Sequence, residues 1–485
     1  MTSILNLINN KALLRRSLVA ENQGNPVDNP ATGEIIAWVP DVSVEHIRQA
    51  IEKAEAALPS WKELTAKARS GILRRWFDLV IENQEDLARI MSAEQGKPLI
   101  ESRGEILYGA SFIEWFGEEA KRVYGDMIPA TSATNRIATI KQPVGVVAAI
   151  TPWNFPNAMI TRKAAPALAS GCTMVLKPAS ATPLSAYALE HLAHEAGVPE
   201  SVFRVVTSRS ASAVGTELAT NPKIAKLTFT GSTEIGRVLL EQSAQTVKKV
   251  SMELGGNAPF IVFDDADLDA AVQGALASKF RNTGQTCVCA NRLLVQSGVY
   301  DQFAEKLATA VSKLSVGDAL EGDFDQGPLI SAAAVEKVRE HVQDATNKGA
   351  SIVAGGAADA KGKNFHQPTV MTGVTTDMLV ANEETFGPVA PLFRFETEDE
   401  AIRLANATEY GLAAYFYSRD IGRVWRVAEK IEAGMVGINE GIISTEVAPF
   451  GGIKQSGLGR EGSKYGIDDY LELKYLCFGG LDATA

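Results

Sequence analysis

The chain is poor in the residues that would make it a disulfide scaffold, a membrane protein or a nucleic-acid binder. It has four cysteines, Cys172, Cys287, Cys289 and Cys477, scattered over 485 residues. That is too few for a cross-linked framework and it suits a reducing compartment, so the expected location is cytoplasmic. No apolar run approaches the length of a membrane span. The opening residues, MTSILNLINNKALLRRS, lack an uninterrupted apolar core followed by a small-residue cleavage site, so neither export nor a membrane partner is expected. Cations are outnumbered, 47 Lys and Arg against 58 Asp and Glu, for a formal net charge of -11. A phosphate backbone needs a local excess of Lys and Arg, so no nucleic-acid partner is expected. The five histidines, at 46, 191, 194, 341 and 366, lie outside every glycine-rich or polar cluster. A Cys–His dyad is therefore disfavoured, and no metal-ligand set is expected.

What is present reads as an ordered α/β protein. Apolar residues make up 46% and charged residues 22%, the composition of a globular chain, and the length implies two or three domains. Residues 43–123 carry apolar positions at helical spacing and read as three helices of scaffold, broken at Gly96, Lys97 and Pro98. From 144, β-rich runs at 145–150, 173–177, 202–206 and 226–230 alternate with helical stretches, the pattern of a parallel sheet with crossover helices. A second series follows, with strands at 259–263 and 293–297 and helices at 268–280 and 300–315. The polar, glycine-rich run 353–364 reads as a surface loop. Segments 136–142 and 470–476 alternate like edge strands and are expected to pair between subunits.

Three local patterns could carry chemistry, and each has a plain alternative. Cys287 follows Asn282, Thr283, Gly284, Gln285 and Thr286, a polar, flexible stretch that exposes backbone N–H groups beside the sulfur and suits a thiolate nucleophile; a lone cysteine is more often an inert small hydrophobe. Glu253 precedes Leu254, Gly255, Gly256 and Asn257. A buried carboxylate there can have its pKa raised toward that of a general base, or can simply cap a strand. Residues 229–236, FTGSTEIG, join a strand to a helix. Gly231 and Gly236 allow close backbone approach and the helix start offers unpaired N–H groups to a pyrophosphate, although a plain βα turn has the same form.

These stretches are part of a wider pattern. TPWNFP at 151–156, KPAS at 177–180, FTGSTEIG at 229–236, ELGGNAP at 253–259, NTGQTC at 282–287, EETFGPV at 383–389 and PFGGIKQSGLGRE at 449–461 resemble, in order, the motifs of the aldehyde dehydrogenase superfamily. The resemblance implies an α/β fold with a Rossmann-type cofactor domain (1–123 and 143–255), an α/β catalytic domain (256–455) and a small β oligomerisation element (124–142 and 456–485). It implies Cys287 as the nucleophile, Asn154 and the Cys287 N–H as oxyanion donors and Glu253 as the base that hydrolyses the thioester. It carries cofactor contacts onto Trp153, Lys177, Ser180, Gly231, Ser232, Gly236, Glu384 and Phe386. Many NAD-using members have Glu where this chain has Ser180, which with Lys177 leaves room and positive charge for a 2′-phosphate; NADP is expected in preference to NAD.

Within the superfamily the likeness is to succinate-semialdehyde dehydrogenases, which points to Arg162, Arg281 and Ser444 as contacts for the distal carboxylate of a small semialdehyde. Glutarate semialdehyde, one methylene longer, and broader aldehydes remain alternatives. So do an acylating enzyme that uses coenzyme A and a catalytically silent structural homologue. Cys289 is read first as a small buried residue; the resemblance also implies a candidate redox partner for Cys287. The subunits are expected to form a homodimer or homotetramer.

Overall fold

The computed structural model describes residues 3–359, 362 and 364–481. Four helices, not three, fill the region after residue 43: α1 (Val44–Lys62), α2 (Ala66–Glu82), α3 (Gln84–Gln95) and α4 (Leu99–Glu119). The expected break is real, since Gly96 ends α3 at a φ of 93° and Pro98 starts α4. The extra break falls at Asn83 alone, which ends α2 and begins α3 while its side chain donates to the Leu79 carbonyl. A one-residue interruption without glycine or proline leaves no mark in the periodicity.

Beyond them lies a six-stranded sheet. Five of its strands, β1 (Val146–Ile150), β2 (Thr173–Lys177), β3 (Phe203–Val205), β4 (Ile224–Thr230) and β5 (Lys249–Glu253), are parallel in the order β3-β2-β1-β4-β5, and the sixth, Gly457–Leu458, lies antiparallel beyond β5. Their near-continuous apolar character follows from burial on both faces. The strand order reverses between β1 and β4, so the loops leaving their carboxyl ends, Thr151–Asn154 and Gly231–Ser232, open on one crevice. Helix α5 (Ala158–Ser170) leaves that crevice and is buried along its whole length.

A seven-stranded sheet follows, with β6 (Ala258–Val262), β7 (Ala290–Gln296), β8 (Ser351–Ala354), β9 (Thr369–Thr372), β10 (Val389–Phe395), β11 (Ala413–Tyr417) and β12 (Met435–Ile438) in the order β8-β9-β10-β7-β6-β11-β12. Only β8 is antiparallel. The expected helix at 268–280 is found as Leu268–Phe280, and the one expected at 300–315 ends at Val311. The 353–364 segment begins inside β8, and its residues 360, 361 and 363 lie outside the described residues.

The two presumed edge strands pair with each other inside one chain. Arg136–Pro143 runs antiparallel to Leu471–Phe478, with Met127–Ile128 on its other side. The far edge of Leu471–Phe478 has no strand beside it among the described residues. Further back in the same tail, Gly457–Leu458 adds antiparallel to β5. No described helix is long and apolar enough to cross a membrane.

Candidate active site

Chain geometry brings the carboxyl end of the first sheet against the amino end of the second. β5 ends on Glu253, four residues cross as Leu254–Asn257, and β6 begins; Cys287 lies three residues ahead of β7. The crossing is held close by its glycines. A Cβ on Gly256 would lie 2.5 Å from the Cys287 carbonyl oxygen, and one on Gly255 would lie 3.1 Å from the Glu384 carboxylate. The Gly256 N–H donates to Glu384 Oε1 at 3.2 Å. Glu253 and Cys287 are thus positioned by backbone contact between two sheets.

The loop before the sulfur is strained. Asn282 and Thr283 take φ values of 53° and 56°, and Gly284 follows at 74°. Such conformations persist only where neighbours over-determine them. Here Asn282 donates from Nδ2 to the Asn154 carbonyl at 2.8 Å, accepts from Gln95 Nε2 at 3.0 Å, and gives its backbone N–H to Glu101 at 2.8 Å. The Asn154 amide donates once, to the Gln285 carbonyl at 3.1 Å, leaving its second N–H free; the Cys287 N–H has no partner among the described residues. Two donors are therefore available beside the sulfur for an oxyanion.

Beneath Asn154 sits a buried ion pair that sequence reading placed in mere scaffold. Lys97 Nζ donates to the Asn154 carbonyl at 2.7 Å and to Glu105 at 2.5 Å, and Glu105 Oε1 accepts the Asn157 and Ala158 N–H groups at the start of α5. Both side chains are 1% exposed. The signal was present: Glu101, Glu105, Tyr108 and Phe112 share one face of α4, which makes that buried stripe partly polar.

Burial pushes the Cys287 thiol up to about 12, with Arg162 pulling the other way. The expected thiolate is thus a protonated thiol at rest. Burial, reinforced by Glu461, holds Glu253 well above the usual carboxylate range. Its Oε2 is buried without a hydrogen-bond partner. Burial also acts on Glu461, but Lys163 and Arg162 outweigh it and keep that carboxyl ionised. Within this coupled pair Glu253 holds the proton and Glu461 the charge. Glu461 was missed because its partners lie about 300 residues away on α5.

The sequence-predicted substrate residues are brought to one region with different roles. Arg162 is 1% exposed, stacked 3.8 Å from the Phe450 ring, and paired with Glu461 at 2.8 Å, so much of its charge is answered inside the protein. The Arg281 guanidinium lies 5.1 Å from the Phe155 ring and has no ion pair or hydrogen bond to another described residue. Arg281 and Ser444 line one narrow cleft with Thr286, Tyr415 and Ile443. Cys289 is buried and its thiol donates to the Lys279 carbonyl at 3.3 Å; the four cysteines are all free. Among the described residues no group of three or more His, Cys, Asp or Glu is placed to hold a metal.

Cofactor-type features lie around the crevice. Ser232 caps helix α6 (Thr233–Ser243), accepting from the Ile235 N–H at 3.4 Å. A Cβ on Gly231 would meet the Phe229 ring at 2.4 Å, and one on Gly236 would meet Leu254 at 2.5 Å. Lys177 is buried and spends a single hydrogen bond on the Pro178 carbonyl; burial alone lowers its pKa, with no carboxylate beside it. Ser180 is exposed nearby. An ammonium with unused donors and no anionic neighbour fits a phosphate. On the other wall, Trp153 and Phe386 stack edge to face at 5.5 Å, Phe386 holding a φ of 54°. Burial raises Glu384 to about 7. His341, read as remote, supports this wall through Thr385 at 3.1 Å.

A doubly wound sheet with an anion-fitting crevice, set against a half-buried thiol with two oxyanion donors unpaired among the described residues, defines a nucleotide-dependent oxidoreductase architecture. The chain belongs to the aldehyde dehydrogenase family, whose model matches residues 19–476. It is 66% identical to a glutarate-semialdehyde dehydrogenase of Pseudomonas aeruginosa, over 94% of each chain. It is 64% identical to an NADP-dependent succinate-semialdehyde dehydrogenase of Escherichia coli K12, over 98% of each. A crystal structure of succinate-semialdehyde dehydrogenase from Burkholderia pseudomallei superposes with a TM-score of 0.95 at 61% identity, over 97% of this chain and 99% of that one.

Two outcomes test this geometry. Gly256→Ala displaces the Cys287 backbone, and an error near 1 Å at a reacting atom costs on the order of a hundredfold in kcat; wild-type kcat in this variant, by steady-state kinetics, contradicts the close approach. Because the Glu253 pKa is raised, its basic form is populated only above the usual carboxylate range, so kcat rises with pH above that range. Glu253→Gln abolishes that limb, lowers kcat on the order of a hundredfold or more, and leaves a burst of about one reduced cofactor per subunit in stopped-flow absorbance. An unchanged pH profile contradicts the assignment.

Proposed function

We propose that this protein oxidises succinate semialdehyde to succinate, with NADP as the preferred acceptor and NAD as a second. The observation that carries the substrate class is Arg281, a cation without an internal partner in the same cleft as Ser444, close enough to act electrostatically on Cys287. A distal carboxylate supplies the missing partner. The semialdehyde activities of the P. aeruginosa and E. coli relatives support the same class. The NADP preference rests on Lys177 and Ser180 and on the E. coli relative's cofactor.

In this reading the Cys287 thiol loses its proton through water to solvent, Sγ bonds the aldehyde carbon and the carbonyl pair moves onto oxygen, where the Asn154 amide and the Cys287 N–H receive the charge. When bound, the nicotinamide supplies the hydride acceptor. Trp153, Glu384 and Phe386 hold the site on that side, while Gly231, Ser232 and Gly236 let the backbone reach the phosphates. Collapse of the oxyanion with loss of hydride leaves a thioester on Cys287. Glu253 then takes a proton from water, the hydroxide attacks the thioester carbon, and the C–S bond breaks with its pair returning to sulfur. A base in this position supports hydrolysis over transfer to coenzyme A. Residues 1–123 and 143–255 serve as the cofactor domain, 256–455 as the catalytic domain, and the three-stranded element with its open edge as the contact in a cytoplasmic homodimer or homotetramer.

Glutarate semialdehyde is the second reading, favoured by the P. aeruginosa relative; one methylene separates the substrates by only about 1–3 kcal/mol. Kinetics of succinate semialdehyde, glutarate semialdehyde and butanal with each cofactor test the proposal. Wild type is expected to prefer the semialdehydes and NADP. Arg281→Leu removes charge-assisted hydrogen bonds of about 1.5–3 kcal/mol, so the semialdehyde-to-butanal ratio of kcat/KM falls about 10–100-fold. A ratio unchanged by Arg281→Leu, or release of an acyl-coenzyme A when coenzyme A is added, overturns it.

A further inference from the structure

Tyr108 lies on α4 one turn beyond Glu105, on the face that meets α5. Its ring is fixed by neighbours that belong to the site. It stands edge-on to Phe112, with centroids 5.0 Å apart and planes at 80°, and it packs on the apolar group formed by Phe155, Ala158 and Met159. Phe112 is also the ring beneath Arg162, at 5.6 Å, and Phe155 is the ring beside Arg281, at 5.1 Å. The two aromatic neighbours of Tyr108 are thus the platforms of the two arginines, and the phenol stands between them. Ser444 is the hydroxyl that faces it.

The Tyr108 hydroxyl is buried and makes no hydrogen bond at ordinary distance among the described residues, the Ser444 hydroxyl being near enough only to act on it weakly. A buried tyrosine hydroxyl ordinarily finds an acceptor, because removing it from water without one is costly. Around this phenol the cations are donors, the carboxylate that acts on it, Glu461, is held by Arg162 and Lys163, and the one other oxygen facing it is the weak acceptor of Ser444. A group that satisfies the phenol better than a serine hydroxyl and tolerates two guanidinium groups fits the description of a carboxylate. Ionised carboxylates offer about four lone-pair sites, more than one arginine fork fills.

We propose that Tyr108 donates a hydrogen bond from its hydroxyl to the distal carboxylate of the substrate, and so acts with Arg281 and Ser444 as a specificity-determining residue. The inference rests on the semialdehyde reading above. It divides the work at this end of the pocket: Arg281 supplies the free charge, Arg162 is compensated by Glu461 and holds the wall, and Tyr108 supplies a neutral donor on a rigid ring. A neutral donor discriminates without adding charge next to Cys287. It also orients the carboxylate, since the ring cannot turn without losing its contact with Phe112.

Tyr108→Phe tests this, because it removes the hydroxyl and keeps the ring. With NADP saturating, the ratio of kcat/KM for succinate semialdehyde over butanal is expected to fall about tenfold, mainly through KM. The inhibition constant of succinate, which carries the same carboxylate and undergoes no reaction, is expected to weaken by a similar factor. A wild-type preference for the semialdehyde that survives intact in Tyr108→Phe overturns the role of Tyr108 and leaves the substrate reading standing. Equal losses for both aldehydes show a structural effect and also overturn it. If wild-type enzyme treats the two aldehydes alike, the semialdehyde reading itself fails, and this inference with it.

Discussion

Two segments that belong to different sheets meet at the side chain of Asn282, and the rest of the site depends on that contact. Asn282 ties the loop carrying Cys287 to the carbonyl of Asn154, and Lys97 grips the same carbonyl from below. Holding an ammonium and a carboxylate fully buried carries a desolvation cost that Coulomb attraction alone does not offset. Lys97 and Glu105 are tolerable because each makes further bonds, one to Asn154 and the other to two N–H groups of α5. What the arrangement secures is position. The left-handed turn at Asn282–Gly284 would relax without it, and the oxyanion donors would lose their aim.

Position in turn fixes the charges. The pocket holds Glu253, Glu461, Arg162 and Lys163 in mutual reach, and burial forbids all of them to be ionised independently. Glu461 satisfies the two cations, so the proton settles on Glu253. The same low-dielectric setting keeps the Cys287 thiol protonated at rest. A thiol in that state is a weaker nucleophile and a poorer target for oxidants than a thiolate. Arg281, without an internal partner among the described residues, is the complement of this design: Arg162 is paired with Glu461 and Arg281 is left open.

Much of this was legible along the chain where function sits in loops at strand ends. The ordered motifs at 151–156, 229–236, 253–259 and 282–287 fall on the crevice and the sheet junction, and the alternation of strands and helices located both parallel sheets. What escaped was set by distance in sequence. Lys97 and Glu105 look like ordinary polar residues of a helical scaffold until Asn154, about fifty positions away, is laid over them. Arg162 reads as a substrate contact because nothing local says that α5 is buried on every side or that Glu461 pairs with it. The strands 136–143 and 471–478 announce exposed edges, but pairing within one chain or between two follows from tertiary placement, not from alternation.

The central claim is that turnover passes through an acyl group on one sulfur. Mass spectrometry of peptides from enzyme quenched during oxidation of succinate semialdehyde measures it directly. The account predicts a succinyl adduct confined to the peptide containing Cys287, absent without oxidised cofactor. An unmodified Cys287 peptide under steady-state turnover, or full activity in Cys287→Ser, would contradict it.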